Sequence, residues 1–258
     1  MKKIPQTEKL LGIVARLRKE CPWDRKQTHR SLLPYLLEEA YETAEAIRDK
    51  DPQAMKEELG DLLLQVVLHC EIASEVLGFD FEDVARGIGD KMVRRHPHVF
   101  AAGASAKSKK DHSRQWTEMK AQEKPKKSLL EGTPRSMPAL QLAQRYGEIS
   151  SSVGFDWEDE DGVWAKLEEE LEELRHEIKA RSRNRKRVAE ELGDVAFCLA
   201  NLARHLGLNA EDAGREAAVK FSRRFAKMEA QARKGGARLA AWSPEDWERA
   251  WNKAKTSR

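Results

Sequence analysis

Residues 37–42 read Leu-Glu-Glu-Ala-Tyr-Glu, and residues 57–61 read Glu-Glu-Leu-Gly-Asp. Both blocks recur in the second half of the chain, where residues 168–173 read Glu-Glu-Glu-Leu-Glu-Glu and residues 190–194 read Glu-Glu-Leu-Gly-Asp. A repeat that keeps only its hydrophobic spacing indicates a duplicated core. In this repeat the carboxylates stay in register, which indicates that the acids themselves are needed.

The position of the repeat predicts how the chain is divided. In 258 residues, of which 40% are hydrophobic and 35% charged, a halfway repeat favours two homologous units of a helix-rich globular protein. Residues 124–138 hold three prolines and one glycine with little periodicity, which is typical of a linker. We therefore expect a first unit over residues 1–123, a linker over residues 124–137 and a second unit over residues 138–258.

Apolar residues at helical spacing, with capping residues and prolines at the segment ends, predict helices along the whole chain. Asp51 and Pro52 supply an N-cap and a first-turn proline for the third helix, and Pro97 ends the fourth because it cannot donate the next backbone hydrogen bond. No alternating apolar-polar run is long enough to predict a strand, so we expect an all-α fold. The predicted helices span residues 6–20, 31–48, 52–78, 80–96, 111–123, 139–152, 161–181, 185–206, 210–233 and 244–256.

Composition excludes several classes of protein. The net charge of +3 is too small to indicate a nucleic-acid partner, although local basic clusters leave a phosphate-bearing ligand open. The three cysteines are far apart and lack CxxC spacing, so they predict neither disulfides nor a zinc site and fit a reducing cytoplasm. The longest apolar stretch, residues 62–68, is far too short to span a membrane, so we expect no membrane partner.

The acids of the repeat are spaced to converge on a bound cation. A three-residue spacing puts Glu39 with Glu42, and Glu58 with Asp61, on one face of each helix. If the chain turns at residues 50–52, antiparallel packing brings Glu42 level with Glu58 and sets Glu39 beside Asp61. Four oxygen ligands without histidine or cysteine suit Mg²⁺, or else Mn²⁺. The second half repeats this arrangement with Glu170, Glu173, Glu191 and Asp194. The alternative is a solvated acidic helix face.

Basic and aromatic residues follow the acids in both halves and predict phosphate binding. Lysine and arginine recur on one helical face, where arginine can grip phosphate oxygens in a fork and lysine supplies a point charge. A tryptophan with a lysine one helical turn later recurs further on and could stack on a base, although packing is the commoner role. The candidate residues are Lys91, Arg94, Arg95, Trp116 and Lys120 in the first half, and Lys220, Arg223, Arg224, Trp251 and Lys255 in the second.

The chain resembles the MazG family of nucleoside triphosphate pyrophosphohydrolases in its two-repeat form. The resemblance covers nearly the whole chain, and the second half departs from it by lacking the Arg-Arg-His-Pro-His-Val-Phe stretch of the first. It rests on Cys21-Pro22-Trp23-Asp24, residues 37–42, Glu58-Leu59-Gly60-Asp61, residues 94–100, Val153-Gly154-Phe155-Asp156-Trp157 and Glu191-Leu192-Gly193-Asp194.

The resemblance implies a helical bundle that dimerises, needs Mg²⁺ and hydrolyses a nucleoside triphosphate to a monophosphate and pyrophosphate. The metal ligands would be the eight repeated acids given above. Two-repeat members need not use both sites, and similar proteins favour the second. We also consider Glu38 or Glu169 as the acceptor of a proton from the attacking water.

Two rival interpretations remain open at this stage. A di-iron carboxylate protein needs two Glu-x-x-His motifs, and only Glu173 with His176 supplies one. A nucleotide sensor or interaction module could keep the same fold and bind without turnover.

Overall fold

The computed structural model describes residues 5–100, 128–236 and 238–256. The chain divides into two compact units, Met1–Lys124 and Pro125–Arg258. All regular structure in the described ranges is helical, which confirms the all-α prediction. The helix predicted over residues 111–123 lies outside the described residues, and the linker over residues 124–137 remains a prediction.

Helices in the first unit end close to the residues that the sequence predicts. A short 3₁₀ turn, Asp24–Lys26, separates the first two of them. Pro97 follows the end of the fourth helix and begins a further single helical turn. The helices are α1 (Gln6–Glu20), α2 (His29–Asp49), α3 (Pro52–Val76), α4 (Phe81–Arg95) and α5 (Pro97–Phe100).

The second unit has the same order of long helices. Its helices are α6 (Ala139–Ser151), α7 (Glu160–Lys179), α8 (Arg185–His205), α9 (Ala210–Lys234) and α10 (Pro244–Thr256). A 3₁₀ turn, Leu239–Ala241, lies between α9 and α10. The α7–α8 pair of this unit corresponds in sequence to α2–α3 of the first.

The α2–α3 hairpin is defined by local capping chemistry. Thr28 caps α2 in a reciprocal pair with Ser31: each backbone N–H donates to the other residue's hydroxyl, at 3.1 and 2.9 Å. Lys50 ends α2 in the left-handed region with φ 55°. The Asp51 carboxylate then accepts from the N–H groups of Gln53 and Ala54, at 2.9 and 3.2 Å, which starts α3 at once. The turn is therefore as short as the sequence predicts.

Packing of the first unit centres on Val14, Leu32, Val67, Leu68 and Ile72, from α1, α2 and α3. Arg18 on α1 is buried beside this core, and its guanidinium donates to Glu75 Oε1 at 3.0 Å and Oε2 at 2.7 Å. The same group donates to the carbonyl oxygens of Asp24 and Gln27. These bonds hold the segment between α1 and α2 against the end of α3, and they hold the pKa of Glu75 below its usual range.

Two histidines stack inside the first unit. The rings of His29 on α2 and His69 on α3 lie 5.1 Å apart and nearly parallel, with a bond of 2.8 Å between their Nδ1 atoms. Both Nε2 atoms are buried without a hydrogen-bond partner among the described residues. Burial, followed by the neighbouring His29, lowers the pKa of His69 from its usual value.

The core of the second unit includes two small clusters of buried apolar side chains. Leu167, Val195 and Cys198 join α7 to α8, while Ala143, Ala200 and Ala210 join α6, α8 and α9. The loop before α7 is fixed by Asp156, which accepts from Arg204 Nη1 at 2.9 Å and from His205 Nε2 at 3.0 Å. The bond from Arg204, with a smaller contribution from His205, lowers the pKa of Asp156 to about 2 despite partial burial.

No single helix in the described ranges is long and apolar enough to cross a membrane. The helices α3 and α4, which meet at 114°, satisfy the criteria of length and composition only when taken together.

Gly147 of α6 provides a sharp test of this packing. A Cβ atom there would lie 2.1 Å from Asn201 Oδ1 and 2.8 Å from Arg204 Nε, and Asn201 is fully buried. Gly147→Ala should therefore destabilise the second unit by about 1–3 kcal/mol, the usual cost of overpacking. Urea denaturation of the purified protein measures this change.

Gly214→Ala in α9 is the matched control, because its Cβ would meet only Leu140 Cδ1 at an ordinary 3.5 Å. This substitution should be neutral or stabilising by up to about 1 kcal/mol, since alanine restricts the unfolded chain. Equal effects of the two substitutions would contradict the packing of α6 on α8.

Candidate metal and phosphate site

The α2–α3 hairpin brings carboxylates together at its middle. Glu39, Glu58 and Asp61 each offer an oxygen, and these oxygens all lie within 4.8 Å of one another. The buried Thr43 hydroxyl donates to the backbone oxygen of Glu58 at 3.2 Å and so holds the two helices in register. Glu42, the fourth acid in the predicted set, lies outside this group of three.

Electrostatic repulsion acts on all four of these acids. The pKa of Glu39 is raised by partial burial first and then by Asp61, Glu42 and Glu58. The pKa of Glu58 is raised by desolvation first and then by Glu42 and Asp61. Glu42 is thus close enough to disfavour its neighbours' charges, as expected for crowded acids that have no compensating cation.

The α7–α8 hairpin builds a second group from Glu170, Glu173 and Glu191, again with oxygens within 4.8 Å of one another. Glu170 is buried, whereas Glu173 is exposed. The pKa of Glu191 is raised by desolvation first and then by Glu173, Asp194 and Glu170. Asp194 lies outside the group of three but contributes to this repulsion, as Glu42 does in the first unit.

Two basic residues of the second hairpin were missed in the sequence. Lys166 Nζ lies 2.6 Å from Glu170 and 3.0 Å from Glu169, and the bond to Glu170 is the main reason that the pKa of Lys166 is raised. Arg187 Nε lies 3.1 Å from Glu177, and its charge partly offsets the raised pKa of Glu191. The four-residue spacing from Lys166 to Glu170 was a usable signal. It does not repeat, because Tyr35 holds the equivalent place in the first unit.

The chemistry of both groups fits a hard divalent cation. Every ligand atom is a carboxylate oxygen, and neither group contains a histidine or cysteine. Oxygen-only sets of this kind favour Mg²⁺ or Mn²⁺ over zinc. His176, which a di-iron site would need, belongs to neither group. Desolvation first, and then the neighbouring acids, raise the pKa of Glu39 and of Glu191, so both oppose full ionisation, and a bound cation would relieve this opposition.

The predicted basic residues fall on other helices. Lys91, Arg94 and Arg95 lie near the end of α4, and Trp116 and Lys120 are outside the described residues. Lys220, Arg223 and Arg224 lie on α9, which packs against α6, α8 and α10. Within the described part of the second unit, no ion pair joins these α9 residues to the carboxylates of α7 and α8.

Comparison with known proteins gives consistent matches. The family model described as "MazG nucleotide pyrophosphohydrolase domain" matches residues 27–100 and 159–228. The nucleoside triphosphate pyrophosphohydrolase/pyrophosphatase MazG of Thermotoga maritima is 46% identical over 252 residues, covering 96% of this chain and 95% of that protein. The nucleoside triphosphate pyrophosphohydrolase of Escherichia coli K12 is 40% identical over 256 residues, covering 97% of each chain. The crystal structure of a mazG-related protein from Thermotoga maritima matches 44% of this chain and 97% of that one, with 32% identity and a TM-score of 0.40.

Removing one acid from the first group should relieve repulsion and weaken cation binding at once. Because its pKa is raised, Glu39 binds a proton more readily in the folded than in the unfolded state. The free energy of unfolding of the metal-free protein therefore increases as the pH falls toward that raised pKa. Glu39→Gln should raise the metal-free melting temperature at pH 7 by roughly 2 °C, with a smaller gain at pH 5. The variant should also reduce the further rise on adding Mg²⁺, as measured by differential scanning calorimetry.

Glu45→Gln is the matched control, because Glu45 is an exposed acid on the same helix and belongs to neither group. If the two variants respond alike to pH and to Mg²⁺, the first group does not bind a cation.

Proposed function

The chain belongs to the MazG family, and we propose that its second unit is the one that turns over substrate, with Glu170, Glu173, Glu191 and Asp194 holding a divalent cation. The activity is hydrolysis of nucleoside triphosphates to nucleoside monophosphates and pyrophosphate. Relatives with this printed activity align along almost the full length of the chain. The observation that supports the site is the convergence of repeated carboxylates at the middle of each hairpin.

Mg²⁺ is the cation we propose, with Mn²⁺ as a substitute, because all the ligand atoms are carboxylate oxygens. A cation bound there supplies neutralisation of the triphosphate and a more acidic water. The buried Glu170 and the half-buried Glu191 would fix its position, since their side chains have little freedom to turn away. The same set in the first unit is Glu39, Glu42, Glu58 and Asp61.

The remaining residues have roles that follow from their charge. We assign Glu169, which is exposed beside the group, as the acceptor of the proton from the attacking water, with Glu38 as its first-unit counterpart. Lys166 holds Glu169 and Glu170 in the substrate-free protein and stays charged. Lys220, Arg223 and Lys255 would stabilise the leaving pyrophosphate, as would Lys91, Arg94 and Lys120 in the first unit. Arg95, Arg224, Trp116 and Trp251 complete the proposed substrate contacts.

Positively charged side chains on the α7–α8 hairpin are our reason for assigning turnover to the second unit. Lys166 and Arg187 place two positive charges at the edges of its carboxylate group, where a triphosphate would also need compensation. The first hairpin has Tyr35 and Ala54 at the equivalent places. A second candidate function, binding of a nucleotide without turnover, is therefore assigned to the first unit.

An apolar face on the second hairpin supports a homodimer. Trp164, Leu171 and Ile178 on α7 recur every seven residues and are exposed, as do Leu192, Leu199 and Leu206 on α8. This spacing puts the three apolar residues of each helix in a stripe along one face, and exposed apolar faces usually mark an interface. We propose that a second copy of the chain covers them.

We also propose a cytoplasmic location, as expected from the sequence. The three cysteines are free, which is usual for proteins of a reducing compartment.

Glu42→Gln and Glu173→Gln separate the two units. If the second unit turns over substrate, Glu173→Gln should lower the rate of pyrophosphate release with Mg²⁺ by at least about 100-fold, because a metal ligand is lost. Glu42→Gln should change this rate little. Glu45→Gln and Glu172→Gln are matched controls, since both acids are exposed on the same helices outside the groups.

A rate unchanged in all four variants would refute the site, and orthophosphate as the first product would refute attack at the α-phosphorus. Steady binding of nucleotide without pyrophosphate release would assign the whole chain to the sensor class.

Leu199→Asp tests the proposed interface. A charge in the middle of the α8 stripe should shift the chain from dimer to monomer, because burying an unpaired carboxylate is unfavourable. Light scattering coupled to size exclusion measures the mass. Val153→Asp should leave the mass unchanged, since Val153 is also an exposed apolar residue but lies outside the stripes. A wild-type chain that is already monomeric would contradict the proposal.

A further inference from the structure

The turn between α7 and α8 concentrates positive charge, and apart from Arg187 its cations have no role in the arrangement described so far. Residues 179–187, which we call the basic turn, read Lys-Ala-Arg-Ser-Arg-Asn-Arg-Lys-Arg and contain no acid. Six positive charges lie here although the whole chain carries only +3, so the remaining residues sum to −3. The small net charge of the chain therefore hides a strongly basic segment.

Most of these cations are free to meet an anion. All six are exposed, and Lys179, Arg181 and Arg185 make no side-chain hydrogen bond or ion pair within the described ranges. Lys186 Nζ lies 3.8 Å from Glu190, and both side chains are more than half exposed, so this pair contributes little. Four positive charges of the basic turn are therefore not compensated by the protein itself.

The other side chains of the basic turn fix its backbone. Arg183 donates through Nε and Nη2 to the backbone oxygen of Ile178, at 3.1 and 2.9 Å, at the end of α7. The Asn184 carboxamide oxygen accepts from an N–H group in the first turn of α8 at 3.0 Å. Arg187 Nε on α8 lies 3.1 Å from Glu177 on α7. The uncompensated cations thus project from a turn of defined shape.

The hairpin does not need these cations in order to form. The corresponding turn of the first unit, residues 48–54, reads Arg-Asp-Lys-Asp-Pro-Gln-Ala, in which two cations are balanced by two acids. That turn joins its two helices without a basic cluster. Six like charges within nine residues repel one another and oppose folding, and an anionic partner would relieve this repulsion.

The composition of the basic turn narrows the class of partner. Four of its six cations are arginines, whose planar guanidinium groups grip phosphate oxygens in a fork. It contains no aromatic side chain on which a base could stack, and no large apolar side chain that could enter a lipid bilayer. These features favour contact with phosphates alone.

We propose that the basic turn binds the phosphate backbone of a nucleic-acid strand without regard to its base sequence. Two packed helices present a tip about 20 Å wide, and a helical strand carries one charge about every 3.4 Å, so several phosphates reach the tip at once. The contacts are made by Lys179, Arg181, Arg185 and Lys186. This binding is separate from the hydrolysis proposed above and does not depend on it.

The test measures fluorescence anisotropy of a labelled single-stranded DNA of about 20 nucleotides and mixed sequence with the full chain. Neutralising about four phosphates predicts an affinity that falls about 50-fold between about 50 and 200 mM salt. Combining Arg181→Gln with Arg185→Gln should weaken binding at the lower salt at least about tenfold and halve the dependence of log affinity on log salt, because two of the four contacts are lost.

Combining Arg25→Gln with Arg30→Gln is the matched control. It removes the same charge from two exposed arginines of the first unit that make no ion pair within the described ranges. This control should keep the wild-type affinity and salt dependence. Both double variants should release pyrophosphate at the wild-type rate, since neither pair belongs to the proposed catalytic site, and circular dichroism checks that both are folded.

Equal losses of affinity in the two double variants overturn the proposal, because net charge alone then accounts for the binding. It is also overturned if the wild-type chain does not bind the strand at the lower salt. Displacement of the strand by polyglutamate of equal charge would assign the basic turn to an acidic protein, and binding of phosphatidylserine vesicles in place of the strand would assign it to a membrane. The measurement needs no turnover, so a failure of the proposed hydrolysis leaves it unaffected.

Discussion

Mutual repulsion among carboxylates at the middle of a helical hairpin is the constraint that shapes both units. Antiparallel packing places acids from two helices within 4.8 Å of one another, and the helices cannot separate without exposing their buried cores. The pKa values of Glu39, Glu58 and Glu191 are raised, by desolvation first and then by the neighbouring acids. The core thus holds together what electrostatics would push apart, which is the arrangement expected of a site prepared for a cation.

The two units differ in the positive charge that their hairpins place near the carboxylates. In the second, Lys166 and Arg187 bring positive charge from the same hairpin to the edges of the carboxylate group. In the first, the equivalent positions are Tyr35 and Ala54, which carry no positive charge. The repeat has therefore kept the acids and changed the charge of the residues around them.

Much of the fold was predictable because helix ends are decided by local chemistry. Asp51, Asn184 and Asn209 cap the helices that follow them, and each is a residue type that favours the N-cap position. The convergence of the acids was predictable for the same reason, since a two-residue turn fixes the register of a hairpin. That Glu42 and Asp194 stand apart from the groups of three was not, because this depends on side-chain rotamers.

The packing of α10 on α9 through aromatic rings could not be predicted from the sequence either. Phe225 and Trp247 meet only because α10 folds back on α9 after a connection of irregular length, and spacing along one helix does not specify such a contact. Lys166 was not predicted for a different reason. The prediction rested on residues that recur in both units, whereas this lysine occurs in one unit alone.

The stacked histidines of the first unit have a consequence for its behaviour in acid. Because one Nδ1 must donate to the other, the rings carry opposite tautomers, and a proton added to the accepting Nδ1 would set two N–H groups against each other in a buried place. The folded state therefore resists protonation of His69, so its stability is lost as the pH falls below the ordinary histidine value of 6.5. Glu160 and Leu202 stand at the equivalent positions of the second unit. Mild acidification therefore acts on the first unit through a pair of buried rings that the second unit lacks.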